Sequence, residues 1–140
     1  MVANKGVIMK RILIIIALLL IWSPAMPQDS AMFLNKLGEK DKAVFSDAVT
    51  LFMYATNKNP QGFTQDFNTL KQAGILKNMD YEADRPLRRG MLARMVARHM
   101  NLTGSFMYMI FGTERYAYTA CIDKGLMDAD GSEWDPLTGE

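Results

Sequence analysis

Apolar residues recur along the central part of the chain every three to four positions, which is the spacing of one face of an α-helix. From Asp41 to about Thr56 they form one such stripe, and Asp41 is expected to cap its start. A second stripe runs from Phe63 to Ala73. Gly74 follows it and precedes two apolar residues, which predicts a Schellman ending with the glycine in the left-handed conformation.

The same order of elements recurs further along the chain. Leu87 to about Asn101 is predicted as a helix, and the apolar sequence FMYMIFG after it as a buried helical turn. Glu114 to Lys124 is the last predicted helix, and Gly125 ends it. The residues of the Leu87 helix that are expected to face inward are Leu87, Met91, Leu92, Met95, Val96 and His99 or Met100. Those expected to point largely away from the core are Arg88, Arg94, Arg98 and Asn101.

A Pro-Leu pair stands at a similar distance after each glycine stop. Pro86 lies 12 residues after Gly74, and Pro136 lies 11 residues after Gly125, with an acidic loop between them in both cases. Each proline is expected in the first turn of a helix, where its missing N–H has no intrahelical partner to lose. We therefore predict an all-α fold, a bundle of helix-loop-helix repeats preceded by an N-terminal signal helix.

These boundaries divide the chain into three parts. Residues 1–25 are predicted to be a signal peptide and residues 26–40 a lead-in segment. The third part is a helical repeat domain at 41–140, with units at about 41–83 and 84–134 and a truncated third unit at 135–140. In the alternative interpretation, Leu137 closes the fold as a stub.

The first residues have the composition of an export signal. Basic residues precede an unbroken apolar run from Ile12 to Trp22, whose 11 residues suit the apolar part of a signal peptide and are too few for a membrane span. Small residues follow, which predicts cleavage before Met26; an uncleaved anchor is the alternative. Either Met1 or Met9 is the true start, since MKRILIIIALLL is a complete signal opening by itself.

Charge and cysteine content narrow the functional classes. The whole chain has 16 Lys and Arg against 15 Asp and Glu. Removal of residues 1–25 takes away three basic residues and leaves a net charge of −2, which argues against general nucleic-acid binding. Cys121 is the only cysteine, so the exported chain is expected to have no internal disulfide and to depend on its core for stability.

Two segments carry a resemblance to a known family. ADRPLRRGMLARMVARHMNL and YAYTACIDKGLMDADGSEWDPLTGE resemble the S-layer homology repeat, well over 84–140 and weakly over 43–83. The resemblance implies helix-loop-helix units in a pseudo-threefold arrangement that attach a protein to cell-wall polysaccharide. It places the sugar-binding arginine at Arg89, with Gly90 and Met91 at the small and acidic positions, so the binding motif is incomplete.

A second resemblance is to small secreted proteins and lipoproteins of Gram-negative bacteria. Their pattern follows a loop rich in Met and Phe, and this chain matches it with Arg115-Tyr116-Ala117 and Gly125-Leu126-Met127. No activity is attached to that group, so the resemblance implies none.

Three candidate chemistries compete with purely structural roles. His99 and Cys121 are the only residues of their kinds and would form the pair of a nucleophilic site, although both are expected to be structural. One helical face carries Met91, Met95 and His99, and these side chains could bind Cu(I). The alternative is a structural role, because an apolar core stripe requires the same spacing. The loop DADGSEWD starts like a calcium loop, but its Gly131 stands at position 4 where calcium loops have glycine at position 6.

Basic and aromatic residues mark the candidate binding surface. The basic residues form a strip that comprises Arg85, Arg88, Arg89, Arg94 and Arg98. This basic strip is interpreted either as a solvated helix face or as a site for an anionic partner. Aromatic residues concentrate in the longer loop of the second unit, where insertions in repeat scaffolds often bind partners. In the alternative, they plug the open end of the bundle. The candidate binding residues are Arg89, Arg115, Phe106, Tyr108, Phe111 and Tyr116.

These observations favour a non-catalytic, exported protein of the periplasm or cell envelope that acts as an interaction or structural module. The expected partner is another envelope protein or a cell-wall glycan, with no nucleic acid, no cofactor, no metal and no stable membrane span after signal cleavage. The alternative function is a periplasmic carrier of a soft metal such as copper, or of a small ligand. An enzyme that uses Cys121 and His99 is the least favoured hypothesis.

Overall fold

The computed structural model describes residues 28–103 and 106–139, with the backbone but not the side chain of Phe106. The described residues form six α-helices, and no β-strand occurs among them. The helices are α1 (Gln28–Gly38), α2 (Phe45–Ala55), α3 (Phe63–Gln72), α4 (Arg89–His99), α5 (Phe106–Phe111) and α6 (Glu114–Asp123). The predicted all-α class is therefore confirmed. The predicted signal peptide, the first two residues of the lead-in and Glu140 lie outside the described residues.

The chain divides into two compact units, residues 1–32 and 33–140. Of the first unit, the structure describes residues 28–32, which form the beginning of α1. The second unit contains the rest of α1 and the other five described helices. Every contact and site described below lies within this second unit.

α3 and α6 both end in the Schellman motif that their glycines predict. Gly74 has a φ of +82° and Gly125 a φ of +68°, both in the left-handed region. At the end of α6 the N–H of Leu126 donates to the carbonyl of Cys121 at 2.8 Å, and the corresponding bond after Gly74 is 3.0 Å long. These bonds satisfy carbonyl groups that a helix end otherwise leaves without a partner.

α2 and α4 end in the same way, with asparagine in place of glycine. Asn57 has a φ of +56° and Asn101 a φ of +50°. The N–H of the following residue donates to the carbonyl five positions earlier, at 2.9 Å after Asn57 and 2.8 Å after Asn101. Sequence patterns predicted only interruptions at these positions, although asparagine tolerates left-handed backbone better than most residues.

The predicted helix cap at Asp41 is wrong, because α2 begins at Phe45. An acid inside the helix caps it instead. The Asp47 carboxylate accepts the backbone N–H of Val44 at 2.9 Å, and it also accepts the Lys40 ammonium group at 2.6 Å. An acid at the third helical position reaches back to the residue before the helix in this manner in the capping box.

The two Pro-Leu pairs also lie outside the helices, which corrects their predicted place in a first helical turn. Pro86 forms an isolated antiparallel bridge with Val44, and Pro136 forms one with Arg88. α4 starts only at Arg89. The residues around each proline are therefore extended, as the restricted geometry before proline favours.

Three extended segments meet at these bridges, and backbone hydrogen bonds connect them in a closed cycle. The N–H of Ala43 donates to Leu137 at 2.9 Å, that of Leu137 to Leu87 at 2.8 Å, and that of Leu87 to Ala43 at 2.9 Å, in each case to the backbone carbonyl. We refer to this cycle of three residues as the backbone ring. Ala43 and Leu87 are buried, so the ring satisfies polar groups that water cannot reach.

The buried apolar side chains form two clusters, and α4 contributes to both. The first cluster involves α2, α3 and α4, and its largest fully buried members are Phe45, Val49, Leu70, Leu76, Met79, Met91 and Met95. The second lies mainly between α4 and α6 and contains Ala93, Ala97, Tyr108, Ala117, Tyr118 and Cys121. α4 is thus covered on two sides, whereas the apolar pattern predicted a single inward face.

We expect Gly125→Ala to destabilise the fold by about 1–2 kcal/mol, because a side chain in left-handed backbone costs about that much. No atom lies within 4 Å of the position that the new Cβ would take, so the cost arises from the backbone alone. Urea titration measures the change in the free energy of unfolding.

Gly38→Ala is the matched control for this variant. Gly38 also has open space around its Cβ position, and its φ is not positive. Alanine there is expected to be neutral or slightly stabilising, because glycine is a poor helix former. Equal destabilisation by both variants would contradict the assignment of strain to Gly125.

Candidate functional site

A pocket of about 400 Å³ opens beside the starts of α4 and α6. Arg88 just before α4 and Arg94 in its middle line the pocket, the start of α6 contributes Glu114 and Arg115, and the acidic loops contribute Tyr81 and Trp134. The last residue of α5, Phe111, lines the pocket as well. Side chains that are distant in sequence therefore converge here, and three of them are arginines.

Glu114 is the residue that connects the sides of the pocket. Its carboxylate accepts a hydrogen bond from Arg88 Nη2 at 3.1 Å and another from the Tyr81 hydroxyl. The two charged side chains retain only 20% and 14% of their exposure, for Arg88 and Glu114 respectively. The carboxylate also lies in the first turn of α6, where the helix dipole favours negative charge. A partly buried, charge-assisted pair of this kind is stronger than an exposed one.

Aromatic rings cover two of the arginines around the pocket. The guanidinium of Arg88 lies 4.7 Å from the ring centre of Trp134, and that of Arg85 lies 4.8 Å from the ring centre of Tyr81. Trp134 is nevertheless 63% exposed. A flat aromatic surface next to a guanidinium group is thus open to solvent at the edge of the pocket.

The environment of Tyr81 favours its protonated form. Burial, the hydrogen bond to Glu114 and the negative charge of that carboxylate raise the pKa of Tyr81 above its ordinary value of 10.0. The positive charges of Arg88 and Arg94 oppose this rise and are the smaller effects. Tyr81 therefore acts as a hydrogen-bond donor to Glu114 at neutral pH.

Two guanidinium nitrogens in the pocket are buried without a partner. Among the residues that the structure describes, no acceptor lies within hydrogen-bonding distance of Arg88 Nε or Arg94 Nε. A buried donor without an acceptor costs about 1–3 kcal/mol, so such groups are rare in folded proteins. Both arginines line the pocket, and their guanidinium groups are donors of the kind that negatively charged oxygens bind.

Gly90 permits the second acidic loop and the start of α6 to lie close to α4. Its N–H donates to the carbonyl of Glu133 at 2.9 Å. A Cβ at this position would lie 2.9 Å from that carbonyl oxygen and 3.0 Å from the Cβ of Glu114. Only glycine therefore lets the second acidic loop and the start of α6 approach α4 this closely.

The structure brings some of the predicted binding residues to the pocket. Arg115 and Phe111 line it, and the Phe111 ring stacks on Tyr116 with 5.6 Å between ring centres. Tyr108, by contrast, is only 9% exposed and belongs to the second core cluster. Phe106 begins α5, and its side chain lies outside the described residues.

Arg89 is engaged by the acidic loop of its own unit. Its Nη1 donates to the backbone carbonyl of Asp130 at 2.8 Å, and it lies close to Gly131. The carboxylates of Asp130 and Asp135 contribute to raising the pKa of this guanidinium, after the larger effect of Tyr118. The contacts of Arg89 are therefore with Tyr118 and with the loop at 128–135, and the pocket is lined by its neighbour Arg88.

The expectation that Arg88, Arg94 and Arg98 point largely away from the core is wrong. All three are partly buried, because Arg88 and Arg94 line the pocket beside Glu114 and Arg98 lies against the residues that follow α3. Arg98 Nη1 donates to the carbonyls of Lys77 and Ile75 just after the end of α3. Within the basic strip, Arg88 and Arg98 therefore contact neighbouring segments of the chain, whereas Arg85 is exposed.

Sequence patterns did not single out Tyr81, Glu114 or Trp134 as site residues. Each acidic loop contains one aromatic residue before its Pro-Leu pair, and that common feature was the available signal. Nothing local in the sequence distinguishes Glu114 from any other acid in a first helical turn.

Met91, Met95 and Cys121 lie in the core, whereas His99 is exposed. The expectation that His99 or Met100 faces inward is wrong, since both are exposed. Met91 and Met95 are fully buried in the first cluster, which confirms their core role. The His99 ring packs edge-on against Phe52 at 5.8 Å. Cys121 is fully buried in the second cluster, its Sγ lies 3.5 Å from the carbonyl of Ala93, and burial raises its pKa, which disfavours the reactive thiolate.

Two kinds of feature are absent from the described part of the chain. Within residues 28–103 and 106–139, no group of three or more His, Cys, Asp or Glu side chains is arranged to bind a metal ion. No helix in the same ranges is long and apolar enough to cross a membrane.

Comparison of the chain with known protein families, with curated proteins and with solved structures finds no match. The chemistry of the pocket therefore has to be judged from its own geometry.

We expect the stability contributed by Tyr81 to depend on pH in the alkaline range. Because its folded-state pKa is raised above 10.0, that contribution is fully present below about pH 10 and is lost as the pH rises through the folded-state pKa. The free energy of unfolding of the wild type should therefore fall more steeply above pH 10 than that of Tyr81→Phe. Urea titrations across this range provide the measurement.

Glu114→Gln is the companion variant. It removes the negative charge that helps to raise the pKa of Tyr81, so the alkaline loss of stability should become shallower than in the wild type. If the wild type and Tyr81→Phe lose stability in parallel, the proposed environment of Tyr81 is incorrect.

Proposed function

We propose that this protein is a non-catalytic, exported binding module of the cell envelope, and that its pocket binds an acidic glycan of the cell wall. The observation that carries this proposal is the meeting of three arginines, Arg88, Arg94 and Arg115, at one pocket. A carboxylate is the acceptor that guanidinium groups bind most strongly, and the Nε atoms of Arg88 and Arg94 have no partner among the described residues.

The remaining lining residues suit a sugar that carries a carboxylate. Guanidinium groups bind carboxylates through paired N–H donors, which gives both affinity and orientation. The exposed ring of Trp134 offers an apolar face to a flat sugar ring, and Arg115 adds a further positive charge at the rim. A small set of polar groups beside an aromatic surface is the usual composition of a ligand site.

The arrangement of the elements supports a repeated, S-layer homology-like architecture. α2 and α4 start 44 positions apart and both end at a left-handed asparagine, whereas α3 and α6 start 51 positions apart and both end at a left-handed glycine. The backbone ring connects Ala43, Leu87 and Leu137 by equivalent hydrogen bonds, as a pseudo-threefold arrangement requires. Outside the backbone ring, further backbone hydrogen bonds recur at equivalent positions of the two units.

Two backbone hydrogen bonds at equivalent positions of the two units illustrate this correspondence. The N–H of Phe45 donates to Arg85 at 2.8 Å, and the N–H of Arg89, 44 positions later, donates to Asp135 at 3.0 Å. Each acceptor lies two residues before a ring leucine. The acidic loops thus cross the helix starts in the same manner in both units, and the pocket of the second unit is formed by this crossing.

The copper-carrier alternative has no comparable support among the described residues. Met91 and Met95 are fully buried in the first core cluster. A Cu(I) ion between them would have to replace close-packed apolar contacts, which is costly in a well-packed interior.

Export is proposed from the basic residues and the apolar run that precede Met26. We expect the chain to be recovered from the periplasm or medium of a Gram-negative host, shortened by the first 25 residues. Cell fractionation and mass spectrometry of the intact chain measure both properties. Recovery of the full-length chain from the cytoplasm alone would contradict the proposal.

Glycan binding is tested by calorimetric titration with an acidic cell-wall glycan, and with the same glycan after its carboxylates are reduced to alcohols. We expect Arg94→Gln and carboxylate reduction each to weaken binding by about tenfold or more, because a hydrogen bond between charged groups is lost. Lys124→Gln is the matched control, since it removes an exposed positive charge outside the pocket.

The outcome of these titrations separates specific binding from general charge attraction. Equal weakening by Arg94→Gln and Lys124→Gln would show that only the overall charge matters. Absence of binding to the acidic glycan by the wild type would overturn the proposed ligand class.

A further inference from the structure

α5 exposes four apolar side chains and contains no charged residue. The exposed fractions are 41% for Met107, 63% for Met109, 56% for Ile110 and 57% for Phe111. We refer to these four residues as the α5 patch. A surface helix in water normally presents polar residues on its outward side, so an apolar outward side indicates contact with another apolar medium.

Tyr108 determines which side of α5 faces the protein. It is 9% exposed, packs in the second core cluster and interacts with the guanidinium of Arg98. Successive residues of an α-helix are about 100° apart, so the α5 patch occupies the other directions around the helix axis. The patch is therefore presented outward by a buried contact, and it belongs to the extra residues that separate α4 from α6.

The charges next to the α5 patch are positive. Arg115 is exposed four residues after Phe111, and Arg98 interacts with Tyr108 behind the helix. Glu114 is the nearest carboxylate along the chain, and its charge is compensated by hydrogen bonds from Arg88 and Tyr81. This distribution is complementary to a surface that is apolar inside and negatively charged at its edge.

We propose that the α5 patch inserts into the headgroup region of a phospholipid bilayer that contains anionic lipid. Met109 and Ile110, which are 63% and 56% exposed, enter the boundary with the acyl chains, and Arg115 lies at the level of the phosphates. This is attachment to a membrane surface. It does not depend on the proposed glycan binding, because neither Met109 nor Ile110 lines the pocket.

The test is hydrogen exchange of the backbone amides of the full chain, with and without vesicles. The vesicles consist of zwitterionic phospholipid with a minority of anionic phospholipid. The amides of residues 107–112 are expected to exchange at least about tenfold more slowly when vesicles are present, because burial at the interface suppresses local opening. The measurement is local, so membrane contact by residues 12–22 does not produce the same signal.

Three variants make the result specific. Met109→Ser/Ile110→Ser removes apolar surface and is expected to abolish the slowing, whereas Ile110→Trp should retain it, since tryptophan favours the membrane interface. Leu34→Ser removes an exposed apolar residue of α1, which is 46% exposed, and is expected to leave the slowing unchanged. Far-ultraviolet circular dichroism checks that each variant is folded.

Several outcomes would overturn this proposal. Unchanged exchange of residues 107–112 with vesicles would exclude insertion, as would equal slowing in the wild type and the double serine variant. Equal slowing by purely zwitterionic vesicles would exclude the role of Arg115 and the anionic lipid. Slowing by an added protein and not by vesicles would assign the α5 patch to a protein partner instead.

Discussion

Three backbone hydrogen bonds between extended segments determine how the helices of this protein are arranged. Ala43, Leu87 and Leu137 each donate to one neighbour and accept from the other, so the backbone ring is complete only when all three segments are present. Two of these residues are buried, and unpaired backbone groups there would be costly. α2 and α4 start two residues after Ala43 and Leu87, so the ring sets the positions of both helix starts.

The pocket is a consequence of the same arrangement. Each acidic loop must cross the start of a helix to reach the ring, and in doing so it places an aromatic residue beside that helix. The Tyr81 ring packs edge-on against Phe45 at 5.4 Å, while the second loop approaches Gly90 and covers Arg88 with Trp134. Glu114 then balances the charge of Arg88, while the Nε atoms of Arg88 and Arg94 have no hydrogen-bond partner among the described residues. The proposed glycan binding thus depends on connections between distant segments.

The two proposed contact surfaces differ in chemistry and in their origin. The pocket is lined by charged and aromatic side chains beside the starts of α4 and α6, whereas the α5 patch is apolar and belongs to the extra residues between α4 and α6. Phe111 is the residue common to both, since it lines the pocket and is also exposed on α5. A module that binds a wall glycan with one surface and a bilayer with the other would lie where envelope layers meet.

The local signals in the chain predicted the all-α class, the glycine stops at Gly74 and Gly125, and the core role of Met91 and Met95. Those features depend on neighbours within one or two helical turns, which a linear sequence displays directly. The position of Pro86 outside the helix, the burial of the arginine side of α4 and the meeting of Tyr81 with Glu114 depended instead on segments far apart in sequence. Only the folded chain brings those segments together, because cross-chain hydrogen bonds and the second covering of α4 leave no periodic trace in the residues themselves.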